Sequence, residues 1–118
     1  MEEKCIFCKI ANKEIPSERI YENDNFFSIY DQDQSIKGHA LVISKRHFKD
    51  SLNFPLSPQS ISKDFLDCIQ ETAKKLMEKH NSKGFNVVGN NGKVAGQLID
   101  HFHFHILPRK EGDRIKLV

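Results

Sequence analysis

Three histidines recur at every second position in His101-Phe102-His103-Phe104-His105-Ile106-Leu107. Imidazole is largely neutral near pH 7, so a ring nitrogen can offer its lone pair to a metal, a proton or an electrophile. In a β-strand alternate side chains share a face. His101, His103 and His105 then line one face, and Phe102, Phe104 and Ile106 turn into a core. Same-face neighbours lie roughly 6–7 Å apart, which sets the outer two histidines about 13 Å apart at Cα. Zinc–nitrogen bonds are only about 2 Å, so one ion does not easily hold all three rings and they divide the work. The plainer readings are a polar face in solvent and a His-x-His metal pair. Half of the chain's six histidines fall within these five residues, which weighs against the solvent face.

Two other stretches could carry chemistry. The loop Gly89-Asn90-Asn91-Gly92-Lys93-Val94-Ala95-Gly96-Gln97 precedes the histidines. Glycines let backbone N–H groups approach phosphate oxygens, and beside a histidine face that reading gains weight over a simple hairpin connection. Cys5-Ile6-Phe7-Cys8 has the two-residue spacing of a zinc knuckle. A lone pair of cysteines makes no site; two more ligands must come from elsewhere, with histidine the natural supplier, or the pair is simply buried on a small helix. Cys68 falls among Phe65 and Ile69 and reads as core. His80, at a helix end, is assigned no function.

The elements that must position these residues follow from periodicity. Residues 4–11 suggest a short helix with Ile6, Phe7 and Ile10 inward, and Pro16 bars its continuation. Arg19–Glu22 and Phe26–Tyr30 read as strands about the turn Glu22-Asn23-Asp24-Asn25. Asp31–Lys37 is a polar loop, His39–Ser44 a third strand rich in aliphatic residues, and 50–61, with Pro55 and Pro58, mostly loop. Phe65, Leu66, Ile69, Ala73, Leu76 and Met77 recur at helical spacing and predict a long helix over Ser62–Asn81. Ser62 is its expected N-cap, Asp64 lies in its first turn and Gly84 is the stop. Phe85–Gly89 and His101–Leu107 complete five strands, the last ended by Pro108. Short, mostly consecutive strands with one main helix specify an antiparallel α+β domain.

Composition bounds the function. The chain has 118 residues, enough for one domain with a core of its own, and its 38% hydrophobic and 29% charged residues are an ordinary globular balance. A net charge of +2 is too weak to imply a nucleic-acid partner. No apolar run approaches the ~20 residues of a membrane span. The charged start, Met1-Glu2-Glu3-Lys4-Cys5, lacks the apolar stretch of a signal peptide. A cytoplasmic protein with reduced thiols is the expectation, which leaves the three cysteines as metal ligands or buried hydrophobes.

Taken together these stretches resemble one family. His101, His103 and His105 with Pro108 and Arg109 resemble the histidine triad signature, His-φ-His-φ-His-φ-φ. Cys5, Cys8, Ile10, Ile15 and Pro16 resemble the family's N-terminal segment. Asp31 with Gly38, His39, Leu41 and His47 resembles its central strand, and Asn90 with Ala95, Gly96 and Gln97 its phosphate loop. The likeness runs from Cys5 to Arg109 and is nearest to the bacterial-type, zinc-containing histidine triad nucleotide-binding proteins.

The resemblance implies a single histidine triad domain over 1–118, with a five-stranded antiparallel sheet, one long helix and a short N-terminal helix. It implies two such sheets joined across a homodimer. It implies binding of an AMP-like purine nucleotide and cleavage of phosphoramidates, acyl-adenylates or dinucleoside phosphates. His103 would attack the α-phosphorus to give a covalent nucleotidyl-histidine, His105 would bond a phosphate oxygen or help protonate the leaving group, and His39 would complete their network. N–H groups near Gly96 and Gln97 would face the phosphate. Asp31 would hold the ribose hydroxyls, Asn90 would contact the ribose or phosphate edge, and Ile6, Phe7, Ile10, Ile29 and Leu41 would wall the base pocket. Cys5, Cys8, His47 and His101 would hold a structural Zn2+. Three positions depart from the pattern: Leu98 where a Ser or Thr hydroxyl commonly contacts phosphate, Asp100 before the triad, and Ser44 where Pro is common. Leu98 keeps a non-catalytic nucleotide-binding or scaffold protein as the second reading; a zinc hydrolase with an open metal site is the third.

Overall fold

The five strands pair side by side in the order β1-β2-β3-β5-β4, every neighbouring pair antiparallel. The structure is a computed structural model and describes residues 4–117. Helix α1 spans Ile6–Ala11; β1 is Tyr21–Glu22, β2 Phe26–Tyr30 and β3 Ala40–Ser44. Helix α2 spans Ser60–His80, β4 is Gly84–Val88 and β5 His103–Arg109. The α+β architecture is the one the sequence specifies.

The sheet is covered on both faces, so β2 and β3 are buried almost throughout. Phe26, Ala40, Val42 and Ile106 meet Ile61, Cys68 and Leu76 of α2 on one side. Ser28 is also on that side and bonds Thr72 at 2.7 Å, so a buried hydroxyl pair satisfies itself inside the core. On the other face Phe27, Ile29, Leu41 and Ile43 pack with Phe7 and Ile10 of α1. The register pairs Leu41 with His105 and Ile43 with His103. Alternation along β5 therefore sends Phe104 and Ile106 toward α2 and the two histidines toward α1.

Several boundaries differ from the sequence reading. β5 begins at His103, because the Phe102 N–H donates to the Phe48 carbonyl at 2.7 Å and His101 lies in a bend before the strand. β5 also runs through Pro108, which pairs with Phe85 beyond the end of the β3 ladder. A missing N–H is tolerated where a strand has a neighbour on one side only. α2 starts at Ser60, with Gln59 ahead of it and no side-chain cap, and no acidic residue lies in its first turn. Ser62 is thus inside the helix. Ile61, 2% exposed, anchors that first turn by burial instead. Asn81, at φ 53°, ends α2 in the left-handed conformation, and Gly84 opens β4 instead of stopping the helix.

Candidate functional site

α1 is only six residues long, too short to stand alone. Cys5 precedes it and Cys8 lies in its first half, so its start faces the bend that carries His101. Cys5 Sγ and Cys8 Sγ lie 3.2 and 3.5 Å from His101 Nδ1. His47 Nδ1 lies 3.2 Å from both Cys8 Sγ and His101 Nδ1. A zinc tetrahedron with bonds of about 2.3 Å to sulfur and 2.0–2.1 Å to nitrogen has edges of about 3.3–3.8 Å. The four donors are spaced close to that. His101 is fully buried, and its Nε2–H donates to the Ser44 carbonyl at 2.7 Å. That bond fixes the tautomer and turns the Nδ1 lone pair toward the other three donors. Burial pushes the His101 pKa down to about 4, so the ring carries no competing proton at neutral pH.

His103 is held by the same device with a different outcome. Its Nδ1–H donates to the His101 carbonyl at 2.7 Å, which leaves the Nε2 lone pair available. The ring is 9% exposed and lines a cavity of about 370 Å³. Burial lowers its pKa, which favours the neutral, nucleophilic form. Phe7 packs edge-on against both His101 and His103, with centroids 5.8 and 5.0 Å away, so one aromatic ring of α1 separates the two jobs. His105 lines the same cavity. Its pKa is pushed down to about 4, chiefly by burial and then by the charges of His103 and His39. His39 stands behind it, with Nε2 2.9 Å from His105 Nδ1 in a shared N–H···N bond.

The cavity walls are built from both sides. Ile6, Phe7 and Ile10 of α1 face Ile29 and Leu41 of the sheet; Asp31, Asn90 and Gly96 supply polar edges, and Tyr30, Gln32, Leu98 and Ile99 complete the lining. These last four were not among the residues singled out as lining, although Tyr30 and Gln32 flank Asp31 and Leu98 stands out by its departure from the family pattern. Gly96 adopts φ +97°, so a side chain there is strained, while the Asn90 amide lies in ordinary contact 3.7 Å from where a Cβ would sit.

Gln97 behaves differently from the expectation. Its side chain is buried at 4% exposure. Its amide oxygen accepts from the Gly92 N–H, and its amide nitrogen donates to the Lys49 and Ile99 carbonyls. The backbone N–H groups of Gly96 and Gln97 donate within the loop, to Lys93 and Gly92 carbonyls, because Lys93–Ala95 forms a 3-10 turn. Gln97 thus staples the loop to the segment after β3, and those two N–H groups are engaged rather than presented to a ligand.

The chain is similar in sequence and fold to known proteins. Residues 12–112 match the HIT domain family. The chain is 41% identical over 109 residues to an uncharacterized HIT-like protein of Methanocaldococcus jannaschii, covering 92% of this chain and 81% of that one. It is 36% identical over 111 residues to the adenosine 5'-monophosphoramidase of Candida albicans, covering 91% and 71%. The crystal structure of a zinc-bound histidine triad family protein from Mycobacterium smegmatis superposes with a TM-score of 0.85 at 33% identity, covering 98% of this chain and 82% of that one. By the matched domain and these relatives, the chain belongs to the histidine triad (HIT) family.

Proposed function

We propose that this protein is a nucleotidyl hydrolase that breaks a bond at the α-phosphorus of an AMP-like purine nucleotide through His103. The observation that carries this is the 2.7 Å bond from His103 Nδ1–H to the His101 carbonyl, which fixes the ring with its other nitrogen free beside a nucleotide-sized cavity. In the first step Nε2 forms a bond to phosphorus as the bond to the leaving group breaks, and the leaving group takes up a proton from solvent. Nδ1 keeps its proton, so the nucleotidyl-imidazole is cationic and leans on the carbonyl dipole. Water then attacks phosphorus and gives up its proton to solvent, the N–P bond breaks, and neutral His103 returns. His105, neutral at pH 7, bonds a phosphate oxygen through an N–H, with His39 fixing its orientation. Asp31 accepts from the ribose hydroxyls, Asn90 touches the ribose or phosphate edge, and the isoleucines with Phe7 and Leu41 enclose the base. The relatives named as adenosine 5'-monophosphoramidases support an adenylate with an amine leaving group.

Cys5, Cys8, His47 and His101 in this reading hold a closed, structural Zn2+ that pins α1 to the sheet, as their spacing and the zinc-bound relative suggest. A reducing cytoplasm would keep both thiols available to it. The working unit is a homodimer joined along β4.

A non-catalytic nucleotide-binding protein is the second reading. It draws on Leu98, 93% exposed at the cavity edge where a hydroxyl is common, and on the engaged Gly96 and Gln97 N–H groups. Both readings bind AMP, so the separating experiment traps chemistry. The protein is mixed with a slowly cleaved adenosine phosphoramidate and examined by mass spectrometry. A nucleotidyl adduct on His103, lost together with turnover in His103→Ala, is expected. An unmodified His103 with no turnover in the parent would select the binder.

A further inference from the structure

A second set of donors lies beside His103 and apart from the cysteine cluster. Asp31 directly follows β2, His39 directly precedes β3 and His105 is on β5. The β2–β3 and β3–β5 pairings bring one carboxylate oxygen and two ring nitrogens within 4.8 Å of one another. His39 Nε2 is 2.9 Å from His105 Nδ1 and 3.9 Å from Asp31 Oδ2. A tetrahedral ion with nitrogen and oxygen bonds of about 2.0–2.2 Å sets edges of about 3.4 Å, midway between those separations. Opening the imidazole pair and closing the carboxylate by about half an ångström each brings both separations to that edge. The other carboxylate oxygen, Oδ1, accepts the Asp33 N–H at 2.8 Å, which steadies the side chain and leaves Oδ2 to turn toward the rings. Two imidazoles and a carboxylate suit zinc and neighbouring first-row ions. Asp31 and His105 both line the cavity, so a remaining coordination position faces it.

We infer that Asp31, His39 and His105 form a second, weaker divalent-cation site, for Zn2+ or Co2+, whose occupation excludes the nucleotide.

The one proton that the two rings share in the N–H···N bond moves to the far nitrogen of its own ring as the ion replaces that bond. The ion then uses the Asp31 oxygen that the ribose hydroxyls would occupy and draws His105 away from phosphate. This exclusion rests on the proposed nucleotide site, whereas the metal binding itself does not.

The test is equilibrium dialysis of the folded protein, carrying one Zn2+ per chain, against rising free Zn2+, with metal content measured. The parent should take up a second ion per chain, as should His80→Ala, which removes a histidine outside both donor sets. His39→Ala and Asp31→Asn should each stay at one. Adding AMP should raise the free Zn2+ needed for the second ion by tenfold or more. A parent that saturates at one ion, or a His39→Ala variant that still reaches two, would overturn the site. Uptake that depends on His39 but ignores AMP would overturn the exclusion, and count against the nucleotide's placement, while the metal site stood.

Discussion

Two of the triad histidines have their open nitrogen set by what the other ring nitrogen touches. Carbonyls at 2.7 Å accept hydrogen bonds from His101 Nε2–H and His103 Nδ1–H, which leaves opposite nitrogens open in the two rings. That the three rings do not share one set of neighbours was legible in the His-x-His-x-His spacing, although the spacing placed His101 in the strand and not in the bend before it. The carbonyls that orient two of the rings were not legible, since they belong to Ser44 and His101 backbone atoms whose positions depend on the bend before β5. The same limit applies to Gln97, whose type suggests ligand contact but whose buried amide holds its own loop together. His105 permits a pH prediction. Its pKa is depressed to about 4 by burial and by His103 and His39, with Asp31 opposing. Between that value and an unfolded-state pKa near 6.5, the unfolded chain binds the extra proton, so His105 makes stability fall as pH drops through this window. Urea unfolding of the parent should lose more stability from pH 6.5 to 4 than that of His105→Gln. Equal losses in the two proteins would show that this ring is not desolvated as described.

At the scale of elements, what sequence periodicity reveals is the existence and facing of strands and helices, and what it misses is where tertiary contact moves their ends. α2 was expected from Ser62 on the strength of a capping side chain, yet it begins at Ser60 because Ile61 reaches the core. Gly89 is a further case. It lies just past β4 with no helix or turn of positive φ to explain it, and the structure supplies the reason: a Cβ there would sit 2.4–2.8 Å from the Phe104 ring. Gly89→Ala must displace that ring or bend the strand, at a cost of roughly 1–3 kcal/mol, read as a lower denaturation midpoint with an unchanged m-value. A stability equal to the parent's would mean that the strand end yields freely. Helix α1 depends on its cysteines in the same external way. Six residues cannot hold a helix unaided, so removing a metal held by Cys5, Cys8, His47 and His101 would leave α1 with the apolar contacts of Phe7 and Ile10 and the Arg19 bond to the Ile10 carbonyl. If that loss is about 2 kcal/mol, chelation lowers the melting temperature by roughly 10 °C. A metal-free protein, verified by elemental analysis, that melts with the parent would remove the structural role from the cluster.

Across the whole molecule the sheet has two edges, and they are unlike. β1 is two residues long and offers little to pair with. β4 is five residues long, and Phe85 and Val87 on its α2 side are 40% and 39% exposed. Beside them a depression lined by Gln70, Ala73, Lys74, Met77 and Phe85 continues the apolar surface onto α2. A long edge strand with apolar side chains and no cover is a pairing surface unless another chain satisfies it. A second copy can do so by two-fold symmetry, its own β4 running antiparallel, so that the backbone donors of both edges are satisfied and both phenylalanines leave water. The symmetry also sharpens the test, because any substitution is made twice in one interface. Val87→Lys places two like charges within the joined face, and its expected effect is about 1–3 kcal/mol per copy in dimer stability, from lost apolar burial and repulsion combined. In sedimentation velocity at micromolar concentration the parent should run at twice the chain mass and Val87→Lys at the chain mass, with far-ultraviolet circular dichroism unchanged. Since His103 and its cavity lie on the α1 face of the sheet, away from the apolar side of this edge, the variant monomer should still form the His103 adduct. A parent that sediments as a monomer would leave the β4 edge without the partner its composition calls for.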